Sequence, residues 1–205
     1  MSAHAATIDG HGGGGEAAPV SAYHDSLLRS PLFLGMIMFL GSEIMLFGSF
    51  FTIFFYLRFT HHPWPPTGID VPKKPTGINT AILISSSFTM HWALVSVKRN
   101  NRFGLVAGLA LTLIMGLTFL ALQIHEYLNL GFTPANNAFA SGFFSLTGLH
   151  GFHVFVGATL LSIALTRSIR GHYSAGQHIG LEVTGLYWHF VDVVWIVLYT
   201  VVYLL

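Results

Sequence analysis

The side chains of this protein that could do chemistry stand inside long apolar runs. Glu43 lies in "GSEIMLFGSFFTIFFY", His150 and His153 in "SLTGLHGFHVFVGATLL", and His189 and Asp192 in "GLYWHFVDVVWIVLYTVVYLL". A carboxyl in such surroundings either keeps its proton or finds a partner, because an isolated buried charge is too costly. Glu43 therefore reads in two ways: as a proton- or lipid-related group, or as a neutral carboxyl bonded to a neighbouring helix. Phe47, Phe50, Phe51 and Phe54 recur at helical spacing around its side. His150 and His153 share a face with Thr147 and Gly157. Two histidines three apart could hold a metal, and one of them could be an axial haem ligand. The reading that spacing favours is a polar contact with a facing helix.

The last run offers such a contact. Glu182, Gly185, His189, Asp192, Ile196, Tyr199 and Tyr203 follow an alternating three- and four-residue spacing, one continuous seam that is polar in its first half. This puts His189 and Asp192 on a buried face, with the His150/His153 face as the expected partner. Gln123 and Glu126 share a face near the end of another run and read as interfacial, structural groups. Gly142, Gly148 and Gly151 mark expected close helix contacts. No GxSxG, Walker A or HExxH pattern occurs.

The elements that must position these residues are membrane spans. The chain has 205 residues, 53% hydrophobic and only 8% Asp, Glu, Lys and Arg. Soluble domains carry about 25% charged residues, and the mean hydropathy here is +0.64. A net charge of +1 gives no reason to expect a nucleic-acid partner, and the absence of cysteine removes disulfides and thiolate chemistry. A crossing needs about 20 mostly apolar residues, and five segments supply them: about 32–57, 77–97, 103–128, 138–166 and 181–205. The expected fold is thus an all-α membrane protein with five transmembrane helices in residues 31–205. Residues 1–30 are expected to form a flexible, polar Gly/His-containing tail, whose His4, His11 and His24 read as solvated rather than metal-binding. The "KRNNR" connection is short enough to make the second and third helices antiparallel neighbours. One side of the membrane would carry Arg29, Lys98, Arg99, Arg102, Arg167 and Arg170, and the other Arg58, Lys73 and Lys74. The positive-inside rule then places the N-terminus in the cytoplasm and the C-terminus outside.

The same motifs, together with "WPPTGI…GINTAILISSSFTMHWA" and "EYLNLGFTPANNAFASGFF", resemble subunit III of haem–copper oxidases in wording and in order, from about Leu32 to Leu205. The resemblance is to the shorter, five-helix bacterial type, which lacks two N-terminal helices of the seven-helix form. It implies a bundle with a lipid-holding cleft whose smaller side is reduced to one helix or completed by a neighbouring chain. "WPPTGI" and "LEVTGLYWHFVDVVW" look more like the cytochrome c branch than the quinol oxidase branch. The resemblance implies no catalytic, cofactor-binding or metal-binding residue on this chain, with haem and copper in partner subunits I and II and phospholipid bound here. Subunit I is the implied main contact, with subunit II and small subunits beside it, membrane lipids around it and cytochrome c as substrate of the complex. A bacterial inner membrane is the implied location. Glu43 matches the family's intramembrane carboxyl, Trp64 the tryptophan of a loop or lipid cleft, and His150, His153, Glu182, His189 and Asp192 a structural polar network. Two other readings rest on the spans alone. A di-haem membrane anchor of a quinol-oxidising enzyme would need axial histidines at matching depths. A transporter with Glu43 as proton carrier would need an inverted repeat, and none is visible.

Overall fold

The computed structural model describes residues 30–64, 66 and 73–205. The expected N-terminal tail, and most of the proline-rich "WPPTGI" connection, lie outside the described residues. Five helices of the described residues are long and apolar enough to cross a membrane: α1 (Pro31–Thr60), α2 (Lys73–Lys98), α3 (Arg102–Asn129), α4 (Ala138–Ile169) and α5 (Ile179–Tyr199), the last continuing as a π-helical turn over Thr200–Leu204. Among the described residues the only extended pairing is an isolated bridge between Ser174 and Gln177.

Local chemistry sets the helix starts. Ser30 caps α1 by accepting from the Phe33 amide, and Pro31 follows at the first helical position, where its missing N–H costs nothing. Asn101 caps α3 from Gly104, and Asn137 caps α4 from Ala140. Asn100 takes the left-handed conformation (φ 53°) that closes the tight α2–α3 connection, which asparagine tolerates better than most residues. The observed helix α2 starts at Lys73, four residues before the predicted span, because Pro75 falls within the first turn and breaks no helical hydrogen bond there.

Helices α2 to α5 form a bundle in which α3 packs on α2 and α4, and α5 on α4 and α2; α1 lies along α4 and α5. So α1 joins the same body rather than standing apart from it. Its other surface carries a run of exposed apolar side chains, including Met38, Ile44, Met45, Tyr56 and Phe59. At the basic end of the bundle Arg102 donates to the Ile169 carbonyl (2.6 Å), tying α3 to α4.

Trp188 is the centre of the packing. It is fully buried, and its indole Nε1 donates to Ser86 on α2 at 2.9 Å. Its ring fills a slot cut by two glycines: a methyl group at Gly116 of α3 would stand 2.5 Å from Cη2, and one at Gly157 of α4 2.9 Å from Cε3. One side chain from α5 therefore touches α2, α3 and α4. Of the glycines expected to permit close contact, only Gly142 does so, against Phe54; Gly148 meets nothing and Gly151 meets Leu120 only at 4.0 Å. The close approaches fall at Gly116 and Gly157 because they face the indole. Gly108 does the same for the α2–α3 pair, facing the Thr89 carbonyl and Ala93.

Candidate functional site

Glu43 and His153 come together although 110 residues separate them. The Glu43 Oε2 atom lies 2.8 Å from His153 Nε2, where α1 crosses α4. The other ring nitrogen, Nδ1, is 2.8 Å from the Leu149 carbonyl, one turn back on α4. With Nδ1 donating to that carbonyl, a neutral imidazole would accept at Nε2 from a protonated carboxyl, and an imidazolium would donate to a carboxylate. The geometry serves both states, so the proton can stand on either partner with the pair intact. Phe47 packs against the imidazole with its ring tilted, centroids 5.0 Å apart, and is itself buried. The pair is nearly enclosed, with side-chain exposures of 12% for Glu43 and 6% for His153. Both residues sit near the middle of their helices.

His150, one turn away on the same helix, takes no part in this contact. It is wholly buried between the rings of Trp195 (4.7 Å) and Phe119 (5.8 Å), and neither ring nitrogen has a hydrogen-bond partner. His189 and Asp192 do not meet His150 or His153, contrary to the expected joining of the last helix to that face. They meet α2: Ser87 Oγ donates to Asp192 Oδ2 and lies 3.1 Å from His189 Nδ1. The reason is the width of the buried face of α5, which packs against α1, α2 and α4. Its ridge runs through Leu181, Thr184, Trp188, Val191, Trp195 and Leu198. The predicted seam is the α2 edge of this face, so Asp192 is buried, His189 half-buried and Ile196 exposed. Replacing Asp192 with leucine should cost about 1–3 kcal/mol by removing the acceptor of the Ser87 hydroxyl. Asp192→Asn, which keeps an acceptor for Ser87, should cost less; thermal unfolding of the two variants checks this.

Glu182 lies apart from both groups, at the basic end. It accepts from Lys98 at 3.0 Å and stands 3.3 Å from His178, fastening the first turn of α5 to the last turn of α2. The expected polar network is therefore three separate contacts: Glu43–His153, Ser87–His189–Asp192 and Lys98–Glu182–His178. Trp64 docks edge-on against Phe54 (5.4 Å) and Phe139 (5.1 Å), pinning the chain after α1 to the start of α4. Glu126, read from sequence as merely interfacial, accepts from Thr76 on α2 and from Tyr203 beyond α5, each at 3.0 Å. Sequence reasoning missed this cross-link because each partner comes from a different element.

Among the described residues no three His, Asp or Glu side chains gather as metal ligands. His150 faces aromatic rings and His189 faces Ser87, so the two do not form the facing pair that a di-haem anchor requires.

Comparison with known proteins agrees with the motifs. The family model described as cytochrome c oxidase subunit III matches residues 15–205, reaching further towards the N-terminus than the motifs themselves. The chain is 44% identical to cytochrome c oxidase subunit 3 of Thermostichus vulcanus over 173 residues, covering 84% of this chain and 86% of that one. It is 42% identical to the protein of the same name from Lumbricus terrestris over 189 residues (88% and 73% covered), and 41% identical to that of Cyprinus carpio over 188 residues (88% and 72%). With five membrane-spanning helices, the family's motifs in order and these relatives, the chain belongs to the cytochrome c oxidase subunit III family: it is a multi-pass membrane subunit of a haem–copper oxidase, assembled with the other subunits of that oxidoreductase.

Proposed function

We propose that this subunit carries no redox centre of its own and supports a proton-pumping terminal oxidase that passes electrons from cytochrome c to oxygen in a bacterial inner membrane. Haem and copper reside in subunits I and II. The chain stabilises subunit I as its main contact, with subunit II and small subunits nearby, and its apolar α1 surface takes phospholipid. Residues 31–205 act as one transmembrane domain. Trp64 holds the loop after α1, and the Glu182, His189 and Asp192 contacts serve assembly.

The observation that carries this reading is the Glu43–His153 contact at 2.8 Å. A carboxyl and an imidazole in direct contact can hold and pass one proton at membrane depth without exposing a bare charge, which is how costly intramembrane groups justify their place. The pair would thereby sustain proton uptake, and open access for oxygen, through many turnovers.

Glu43→Gln separates this role from a structural one. The amide still bonds the imidazole, so stability should fall by no more than about 1 kcal/mol. The variant oxidase should assemble with normal haem content and start at a normal rate, then lose proton uptake and activity as turnovers accumulate. Loss of assembly in Glu43→Gln would make the pair structural.

A further inference from the structure

Six buried side-chain atoms of the described residues have no hydrogen-bond partner: Asn79 Oδ1, both amide atoms of Gln123, both ring nitrogens of His150, and Asp192 Oδ1. Five of the six belong to one region inside the α2–α5 bundle. Asn79 Nδ2 donates to the Phe119 carbonyl at 3.3 Å, and the Phe119 ring stands against His150 at 5.8 Å. Gln123 is one turn from Phe119 and lies beside the hydroxyls of Tyr127 and Tyr203, but no hydrogen bond forms in this geometry. Tyr127 donates to Thr147 at 2.6 Å, one turn from His150. Asn79, Gln123 and His150 are each no more than 2% exposed.

A cavity of about 310 Å³ opens at the end of this region opposite the basic connections. Asn79 and Glu126 line it together with Pro75, Leu122, His125 and Asn129. Asn79 therefore belongs both to the cavity wall and to the buried cluster. Glu126 links the wall to Tyr203, which neighbours Gln123.

Buried amides and imidazoles left bare are costly, and native proteins meet such groups with ordered water where polar atoms converge. We propose that the α2–α5 core binds a file of ordered water molecules running from this cavity, past Asn79 and Gln123, to His150. Each unpaired atom then has a partner: water donates to Asn79 Oδ1 and Gln123 Oε1, accepts from Gln123 Nε2, and satisfies both nitrogens of His150. The file ends between Phe119 and Trp195, whose rings bracket His150. It is a site for water and not for a cation, because its innermost members are neutral amide and imidazole groups and Glu126 already has two donors. The inference stands independently of the role proposed for Glu43.

Radiolytic hydroxyl labelling of the intact oxidase tests it, because side chains touching bound water are oxidised even when bulk solvent cannot reach them. Trp195 and Trp188 have the same chemistry and are both fully buried, but only Trp195 borders the file. Trp195 should label several-fold faster than Trp188 in the wild-type complex. In Gln123→Leu the Trp195 rate should drop towards that of Trp188. Equal labelling of the two tryptophans in wild type would overturn the proposal, and that comparison needs no variant to fold. A Gln123→Leu complex that melts higher, with Trp195 labelling unchanged, would also overturn it by showing the amide to be dry and merely unpaired.

Discussion

Truncating Trp188 to alanine should destabilise the bundle by about 3–5 kcal/mol, the range for emptying a large aromatic site in a packed core. The indole is fully buried, and its slot is lined by two glycines that cannot reach in to fill it. The lost hydrogen bond to Ser86 adds a stranded hydroxyl, partly relieved because Ser86 also donates to the Leu83 carbonyl. The converse changes test the slot from its walls. At Gly116 an added methyl would lie 2.5 Å from the indole, and at Gly157 2.9 Å, so each alanine variant should cost about 1–3 kcal/mol through overpacking. Gly148→Ala, where a methyl meets nothing, should be close to neutral or slightly stabilising through better helix propensity. Thermal unfolding of the detergent-solubilised protein ranks all four. If Gly148→Ala proved as damaging as Gly157→Ala, the assignment of the slot would fail.

Replacing Glu126 with leucine should loosen the opposite end of the bundle by about 2–4 kcal/mol, from two part-buried hydroxyl bonds lost together. One carboxylate there serves α2 through Thr76 and the segment after α5 through Tyr203. Glu126→Gln offers one carbonyl acceptor in place of two oxygens, so it should lose about half as much. Hydrogen exchange of the Thr200–Leu204 amides reads the effect locally and should rise in both variants, more in Glu126→Leu. Unchanged protection in Glu126→Leu would show that the aromatic contacts of Tyr203 with Phe143 and Tyr199 hold the segment without the carboxylate.

The five spans were readable because each is a long apolar run closed by polar connections, and the helix bounds moved by only a few residues once proline and asparagine caps were seen in place. The antiparallel α2–α3 pair followed from a connection too short for any other path. Glu43 and His153 were both legible as groups needing a partner, but nothing in their separation shows that they choose each other; only the crossing of α1 over α4 does. His189 and Asp192 show the limit more sharply. Their spacing fixed a shared face and could not say which neighbour lay opposite, and Ser87 is one hydroxyl in a run of three serines. Helical periodicity also centred the seam wrongly, since a helix packed on three others buries more than a narrow stripe. Glycine reading failed for a related reason: "GLHGFHVFVG" contains three glycines, and which of them meets a neighbour depends on where Trp188 of another helix arrives.

The proposal that this haem–copper oxidase subunit holds no redox centre itself is open to a direct test. Visible spectra supply it: the tagged chain is purified from its own membranes together with its partners, recorded reduced and oxidised, and recorded again after dissociation from them. Haem absorbance and cytochrome c oxidation should accompany the complex and stay with the larger subunits, leaving the dissociated chain colourless. Haem retained by the dissociated chain, or a complex purified without haem, would contradict it.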